Sequence, residues 1–473
     1  MIRLRLLLMS LLVLFAATNA KSQFDRFFKD STFRFDYYHS GTKGEERFTS
    51  DKMYEEGEWP GSTTQLLDTL NLGEYCFEVV DYRSDKVLYS RGFSSLFHEW
   101  QTTDEALAGV WRTFHETVRF PFPKGKVQLR IFGRNKEMAF DELFSAVIDP
   151  NGEEVRREAS RREAKVDDIE VHGDSHSKVD IVILGDGYSA ADMPKFRADA
   201  KHFTNVLLGT EPFKSRKKEF NVRAIEVVSR RSGINQPDRG IWTGNALGTS
   251  YNSFGSARYV LSDDNAEIRD YAALAPYDFM FILVNVGRYG GGGIFQLYAT
   301  CYATGETPET AWQADYVFVH EFGHCFAGLG DEYYSSSVAY NDFYPKGVEP
   351  WEPNIAVDVS RTGLKWAGLV DAKTPLPTPW NKQLYDSMEA ARGNLRREEK
   401  GYAEKRQMIL DAEHRALTVD SLKGVVGAFE GAGYSSKGFY RPSLDCRMFS
   451  LSLVDFDPVC AGAINRMIDF YSK

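Results

Sequence analysis

The chain has 473 residues, 43% of them hydrophobic and 14% aromatic, with a net charge of −10 and a pI near 5.6. That is enough for a large core and too long for one domain of ordinary size. The acidic balance, with no Lys/Arg-rich block, leaves no electrostatic footprint for nucleic acid.

In chain order, residues 1–20, MIRLRLLLMSLLVLFAATNA, come first. Arg3 and Arg5 precede an apolar run from Leu6 to Ala17, and small residues end at Ala20. This is the layout of a secretory signal peptide. The run is short for a bilayer span, and no later stretch reaches roughly eighteen apolar residues. The mature protein is therefore expected to be exported, periplasmic or extracellular, with no transmembrane segment. Export permits disulfides. The five cysteines are Cys76, Cys301, Cys325, Cys446 and Cys460. An odd count leaves at least one unpaired, and no C-x-x-C pair exists. Cys446 and Cys460 share a local segment and are candidates for a bridge.

Residues 24–165 read as an N-terminal β-sandwich domain. The segments FRFDYYHS, EYCFEVVDY, KVLYSRGF, TVRFPFP and KVQLRIFG are short alternating or aromatic runs broken by Gly, Pro, Asp and Ser. The composition turns polar near VIDPNGEEVRREASRREAKVDD, which sets a boundary at about residue 165. Residues 166–473 then alternate strand and helix. KVDIVILGDGY, FNVRAIEVVS and YDFMFILVNV read as strands buried on both faces. Ser189, with Asp192 three residues on, opens a helix running to about Leu208. This order predicts an α/β layer, so the whole chain is α+β with an α/β second domain. Residues 386–418 are densely charged and helix-prone, and read as a solvated helix or helical hairpin, with a lid or partner-docking insertion as the sharper alternative.

The chemistry concentrates in VHEFGHCFAGLGDEYY, residues 319–334. His320-Glu321-Phe322-Gly323-His324 fits H-E-x-x-H. On a helix, residues i and i+4 share a face, so both imidazoles reach one Zn²⁺. Glu321 then stands beside the metal, where it can take a proton from metal-bound water. A catalytic zinc ordinarily has a third protein ligand. Gly328 and Gly330 allow the helix to end and the chain to turn back, because glycine accepts positive φ. The first carboxylate after them is Asp331. The pattern resembles H-E-x-x-H-x-x-G-x-x-H with the glycine and third ligand one residue later, and Gly330 stands where histidine would be. Asp331 is the expected third ligand; Glu332 or a distant residue remains the alternative. Met448 lies about 120 residues on; metzincins place a methionine-bearing turn under the zinc, while a single methionine by itself is more often plain core.

Together, VHEFGHCFAGLGDEYY, GAGYSSKGFYRPSLDCRM and KVDIVILGDGY resemble the bacterial IgA-peptidase family of zinc metallopeptidases. The resemblance covers most of residues 170–473, and residues 24–160 look like the β-sandwich module that precedes the catalytic domain in some members. It implies a metzincin-like catalytic domain. It makes His320, His324 and Asp331 the metal ligands, Glu321 the general base and Met448 the turn methionine. Immunoglobulin A is not thereby implied as the substrate. Tyr434 and Tyr440 are candidate donors to the oxyanion. The metzincin tyrosine two residues after the turn methionine is Ser450 here, which puts that role in doubt.

The expected function is that of a secreted zinc-dependent endopeptidase acting on a protein or peptide substrate, with neither nucleic acid nor nucleotide as partner. The alternative is a surface or periplasmic binding protein with a degenerate site, against which the intact Glu321 argues. RYGGGGIF, with Gly290 to Gly293, lacks the G-K-[ST] of a phosphate loop and reads as a flexible turn, or as a cleft rim. GDGY at 185–188 reads as a strand-to-helix turn, and Cys325 as core.

Overall fold

The computed structural model describes residues 23–157, 162–305, 310–335, 343–396, 399–452 and 454–473. The expected signal peptide lies outside the described residues.

Two four-stranded sheets form the N-terminal part. One has the order β5-β1-β2-β8, from β1 (Phe28–Thr42), β2 (Glu45–Glu56), β5 (Arg112–Pro123) and β8 (Val155–Arg156). The other has the order β4-β3-β6-β7, from β3 (Tyr75–Asp81), β4 (Val87–Phe93), β6 (Val127–Arg134) and β7 (Phe140–Ile148). They share one core, in which Phe33, Phe35 and Tyr37 of β1 meet Phe77, Phe120 and Leu129. The strand period of two sends the intervening residues of β1 the other way. Arg34 and Asp36 are also buried; Arg34 donates to Asp36 at 2.8 Å and to Asp270 of the second half at 2.7 Å. The alternation of aromatic and charged residues in FRFDYYHS thus records a strand buried between two layers.

The N-terminal part is not purely β, as the sequence had suggested. Ser95 caps a helix α1 (Leu96–Gln101) by accepting from the His98 amide. Leu96, Phe97 and Trp100 of this helix join the core of the second half. Tertiary burial, with local capping, sets these residues, and no alternation announced it.

The second half is built on a six-stranded sheet of order β13-β14-β12-β10-β11-β9. Its strands are β9 (Val166–Glu170), β10 (Val179–Asp186), β11 (Phe220–Ile225), β12 (Phe279–Val284), β13 (Gly291–Ile294) and β14 (Tyr298–Tyr302). The inner strands β11, β10, β12 and β14 run parallel, and β9 and β13 are antiparallel edges. Every residue of β10 and β12 is buried, as expected for strands covered on both faces. Ser189 and Asp192 form the capping box that precedes α2 (Met193–Leu207), and α3 (Asn265–Ala272) lies between β11 and β12 in the chain. The long buried helix α4 (Trp312–Ala327) packs on β13 and β14.

RYGGGGIF is a correction. It is not a free turn: Gly291–Ile294 is the edge strand β13, and added Cβ atoms show why it must be glycine. A Cβ on Gly293 would stand 2.2 Å from the Glu321 carbonyl oxygen, and one on Gly291 would stand 2.8 Å from the Thr300 oxygen. The densely charged segment forms a helical hairpin, α5 (Lys382–Gly393) and α6 (Tyr402–Leu417), in which Arg392 of α5 meets Glu413 of α6 at 3.3 Å. A two-stranded hairpin, β15 (Phe429–Ala432) with β16 (Ser435–Arg441), and a C-terminal helix α7 (Pro458–Ser472) complete the chain.

Candidate metal centre

Helix α4 has no proline or β-branched run and carries apolar residues nearly all round, so it is buried along its length. It stops at Gly328, whose φ of 61° is left-handed, and the Gly328 amide donates to the His324 carbonyl at 3.0 Å. The chain then doubles back. Asn354, fully buried, braces the return: its amide oxygen accepts from Gly330 N–H at 2.7 Å, and its NH₂ donates to Gly330 O and Glu332 Oε1, each at 2.9 Å.

This turn brings Asp331 beneath the helix. Its Oδ1 lies 3.0 Å from His320 Nε2 and 3.2 Å from His324 Nε2, and the two Nε2 atoms are 3.1 Å apart. The outer nitrogens face backbone carbonyls. His320 Nδ1 is 3.1 Å from the Arg447 oxygen, and His324 Nδ1 meets the Leu329 oxygen. Carbonyls only accept, so each Nδ1 carries a proton, and in the neutral ring each Nε2 is left a lone pair. Three acceptor atoms therefore converge on one point, and Asp331 Oδ1 has no hydrogen-bond donor. A cation is what such a triad fits. Ligands about 2.0–2.1 Å from a tetrahedral zinc stand about 3.3 Å apart, close to the spacing seen.

The electrostatics agree. Burial works to raise the Asp331 pKa, but the two imidazoles outweigh it and hold it well below the usual carboxylate range. Burial lowers that of His324, yet Asp331 and Glu321 bring it up to about 9, so without a metal a proton on this ring pairs with Asp331. Glu321 has a carboxylate oxygen within 4.8 Å of ligand atoms on both histidines. Burial pushes its pKa up, partly offset by those imidazoles, as suits a group that takes a proton.

Two segments distant in sequence complete the centre. Met448 is fully buried, and its sulfur would lie 3.2 Å from a Cβ at Gly323, on the helix one residue before His324. The same turn supplies the Arg447 carbonyl to His320, and the Met448 carbonyl accepts from Glu332 N–H at 2.9 Å. The other segment is the β15–β16 hairpin. Gly433 and Tyr434 form its two-residue tip, with φ of 55° and 62°. Such primed turns need positive φ at both positions. The tip docks on the Asp331 loop through Gly433 N–H to Asp331 O at 2.9 Å, and the Tyr434 hydroxyl donates to Asp331 Oδ2 at 2.7 Å.

Of the residues singled out in the sequence, His320, His324, Asp331, Glu321, Met448 and Tyr434 thus come together. Tyr440 does not line the cleft; it lies on β16 beside Ala356. Glu332 turns from the histidines and meets Cys460 Sγ at 3.2 Å. Cys325 is buried core. Asp186 of GDGY accepts from the amides of Gly187, Leu247 and Thr249 and from the Asn245 side chain, a strut for the following turn. The cleft over the centre also carries Arg258, Tyr333, Trp351 and Glu352, together with Ser94, His98 and Glu99 from the N-terminal part. No local motif marked these; only the fold assembles them.

The family model described as IgA Peptidase M64 matches residues 168–468, and a second, described as Peptidase M64 N-terminus, matches residues 23–145. The chain belongs to the IgA peptidase M64 family. No curated protein matches it. Membership in M64 makes the chain a peptidase, and the first match spans both the H-E-x-x-H helix and the Met448 turn. As a member of a peptidase family, it acts on protein substrates. Among the described residues, no helix is long and apolar enough to cross a membrane.

Proposed function

We propose that this M64 peptidase is an exported zinc endopeptidase with a metzincin-like catalytic domain over residues 166–473 and an N-terminal sandwich domain over residues 24–165. The observation that carries the reading is the convergence of His320 Nε2, His324 Nε2 and Asp331 Oδ1 within 3.0–3.2 Å, with Glu321 beside them. Zinc, when bound by these three, supplies Lewis acidity. The chain's own residues do the rest. Glu321 takes a proton from the attacking water and returns it to the leaving amine. Tyr434 orients Asp331 through its outer oxygen. Tyr333 and Trp351 give the cleft aromatic walls. The metzincin-like reading is supported by the Met448 turn, which packs against α4 at Gly323.

The test is Glu321→Gln, which keeps the side chain's size and removes its basicity. The mutant is expected to fold and keep its zinc, while cleavage of any peptide that the wild type cuts falls by about 10²–10⁴-fold. Equal cleavage by zinc-loaded mutant and wild type would sink the mechanism. A binding protein built on a retired site predicts no chelator-sensitive cleavage by the wild type at all.

A further inference from the structure

The residue after Asp331 belongs to a second cluster that the peptidase chemistry does not use. Glu332, Cys446, Asp457 and Cys460 are all buried, with exposures of 0%, 0%, 6% and 0%. One candidate ligand atom from each lies within 4.8 Å of all the others. The two sulfurs are 3.9 Å apart, and Cys460 Sγ is 3.2 Å from Glu332 Oε1. Two carboxylate oxygens here, Glu332 Oε2 and Asp457 Oδ2, are buried without a hydrogen-bond partner. The other oxygen of Asp457 is engaged, accepting from Val459 N–H at 2.7 Å and Cys460 N–H at 3.1 Å as the cap of α7. Cys446 Sγ accepts from the amides of Asp457, at 3.4 Å, and Met448, at 3.5 Å.

Two buried carboxylates beside two thiols, with Glu332 Oε2 and Asp457 Oδ2 unpartnered, are costly as anions unless something positive joins them. Arg441, also fully buried, is near enough to favour the charged Glu332, but its hydrogen bonds go to the carbonyls of Glu430, Gly431 and Leu444. The spacing says what fits. Two thiolates about 2.3 Å from a tetrahedral zinc stand about 3.8 Å apart, whereas a disulfide holds its sulfurs at about 2.05 Å. The observed 3.9 Å is the former distance. A borderline-soft ion suits two sulfurs and two oxygens.

We propose that Cys446, Cys460, Glu332 and Asp457 form a second, closed site for a structural divalent cation, with zinc the best match to its donors. Binding displaces the two thiol protons to solvent, and no redox change is involved. The ion ties together three segments: the loop that presents Asp331, the turn that carries Met448, and the first turn of α7. Its role is to hold the wall of the catalytic centre.

Metal analysis and cobalt substitution test this. The purified full chain should carry two zinc ions, and His324→Ala should carry one. Replacing zinc by cobalt(II) should give a thiolate-to-cobalt charge-transfer band, since the His₂Asp centre contains no sulfur. The band should persist in His324→Ala and vanish in Cys460→Ser, with loss of one metal. No such band in the cobalt-loaded wild type would overturn the proposal. So would recovery of a Cys446–Cys460 disulfide peptide from unreduced protein. Both of those arms use wild-type protein, so they decide even where Cys460→Ser does not fold. Loss of both metals in His324→Ala would also overturn it, because the two sites share no ligand.

Discussion

At the scale of single residues, the centre depends on side chains other than the three converging ligands. Tyr434 is held in a left-handed conformation at a hairpin tip, which disfavours a bulky residue, and its hydroxyl meets Asp331. Removing that donor frees the carboxylate to rotate. Tyr434→Phe should leave the hairpin intact and weaken zinc affinity or activity about 10–100-fold, the range for partners of metal ligands. Competition with a graded chelator reads it; unchanged affinity and activity would show that Asp331 needs no such partner. His39 is a second case, remote from the centre. It is sandwiched between Phe48 and Phe97 and contacts Glu46 at 2.9 Å and Glu116 at 3.1 Å. Burial lowers its pKa, but the two carboxylates outweigh burial and raise it above the ordinary 6.5. A pKa raised by folding stabilises fully below the unfolded value and is lost as pH climbs through the folded one. The stability gap between wild type and His39→Gln, from urea unfolding, should therefore shrink as pH rises from about 6.5 upward. A gap that widens with pH would mean that the ring is neutral in the fold.

At the scale of elements, the contact between β13 and α4 positions both Glu321 and the cleft rim. It exists because Gly291 and Gly293 have no side chains. Gly293→Ala forces the strand off the helix, since the obstacle is backbone oxygen rather than a flexible side chain. The expected cost is about 1–3 kcal/mol, the range for overpacking. Activity should fall with it, because the displaced atom belongs to Glu321 itself. Thermal melting and peptide cleavage check the two effects; a mutant with wild-type values for both would show that the helix can move without penalty.

For the whole molecule, the two halves are not beads on a string. Trp100 is fully buried, and with Leu96 and Phe97 it belongs to the core of the peptidase half. Its indole N–H donates to Glu105 at 2.8 Å. Trp100→Ala should cost about 3–5 kcal/mol. If the halves are one cooperative unit, urea unfolding should show a single transition at lower midpoint. A separate early transition, with the peptidase half unaffected, would show that this helix only decorates the interface. The N-terminal part also gives Ser94, His98 and Glu99 to the cleft.

The sequence alone determined the H-E-x-x-H helix, because four-residue spacing and a 3.6-residue turn put His320 and His324 on one face whatever surrounds them. It also determined the buried strands of β10 and β12, whose unbroken apolar runs leave no polar face. Gly328 and Gly330 marked the return of the chain to Asp331. Tertiary structure decided between Asp331 and Glu332 as the residue facing the histidines, since neighbouring side chains diverge and only the Asn354 brace and the Cys446–Cys460 pocket sort them. It likewise placed Tyr434 and not Tyr440 at the centre, with its hydroxyl on Asp331, and turned RYGGGGIF into a strand. Glycines carry no periodic signal, and their partner, the Glu321 backbone, lies 28 residues away along the chain. Contacts over such separations are set by packing, which no local pattern records.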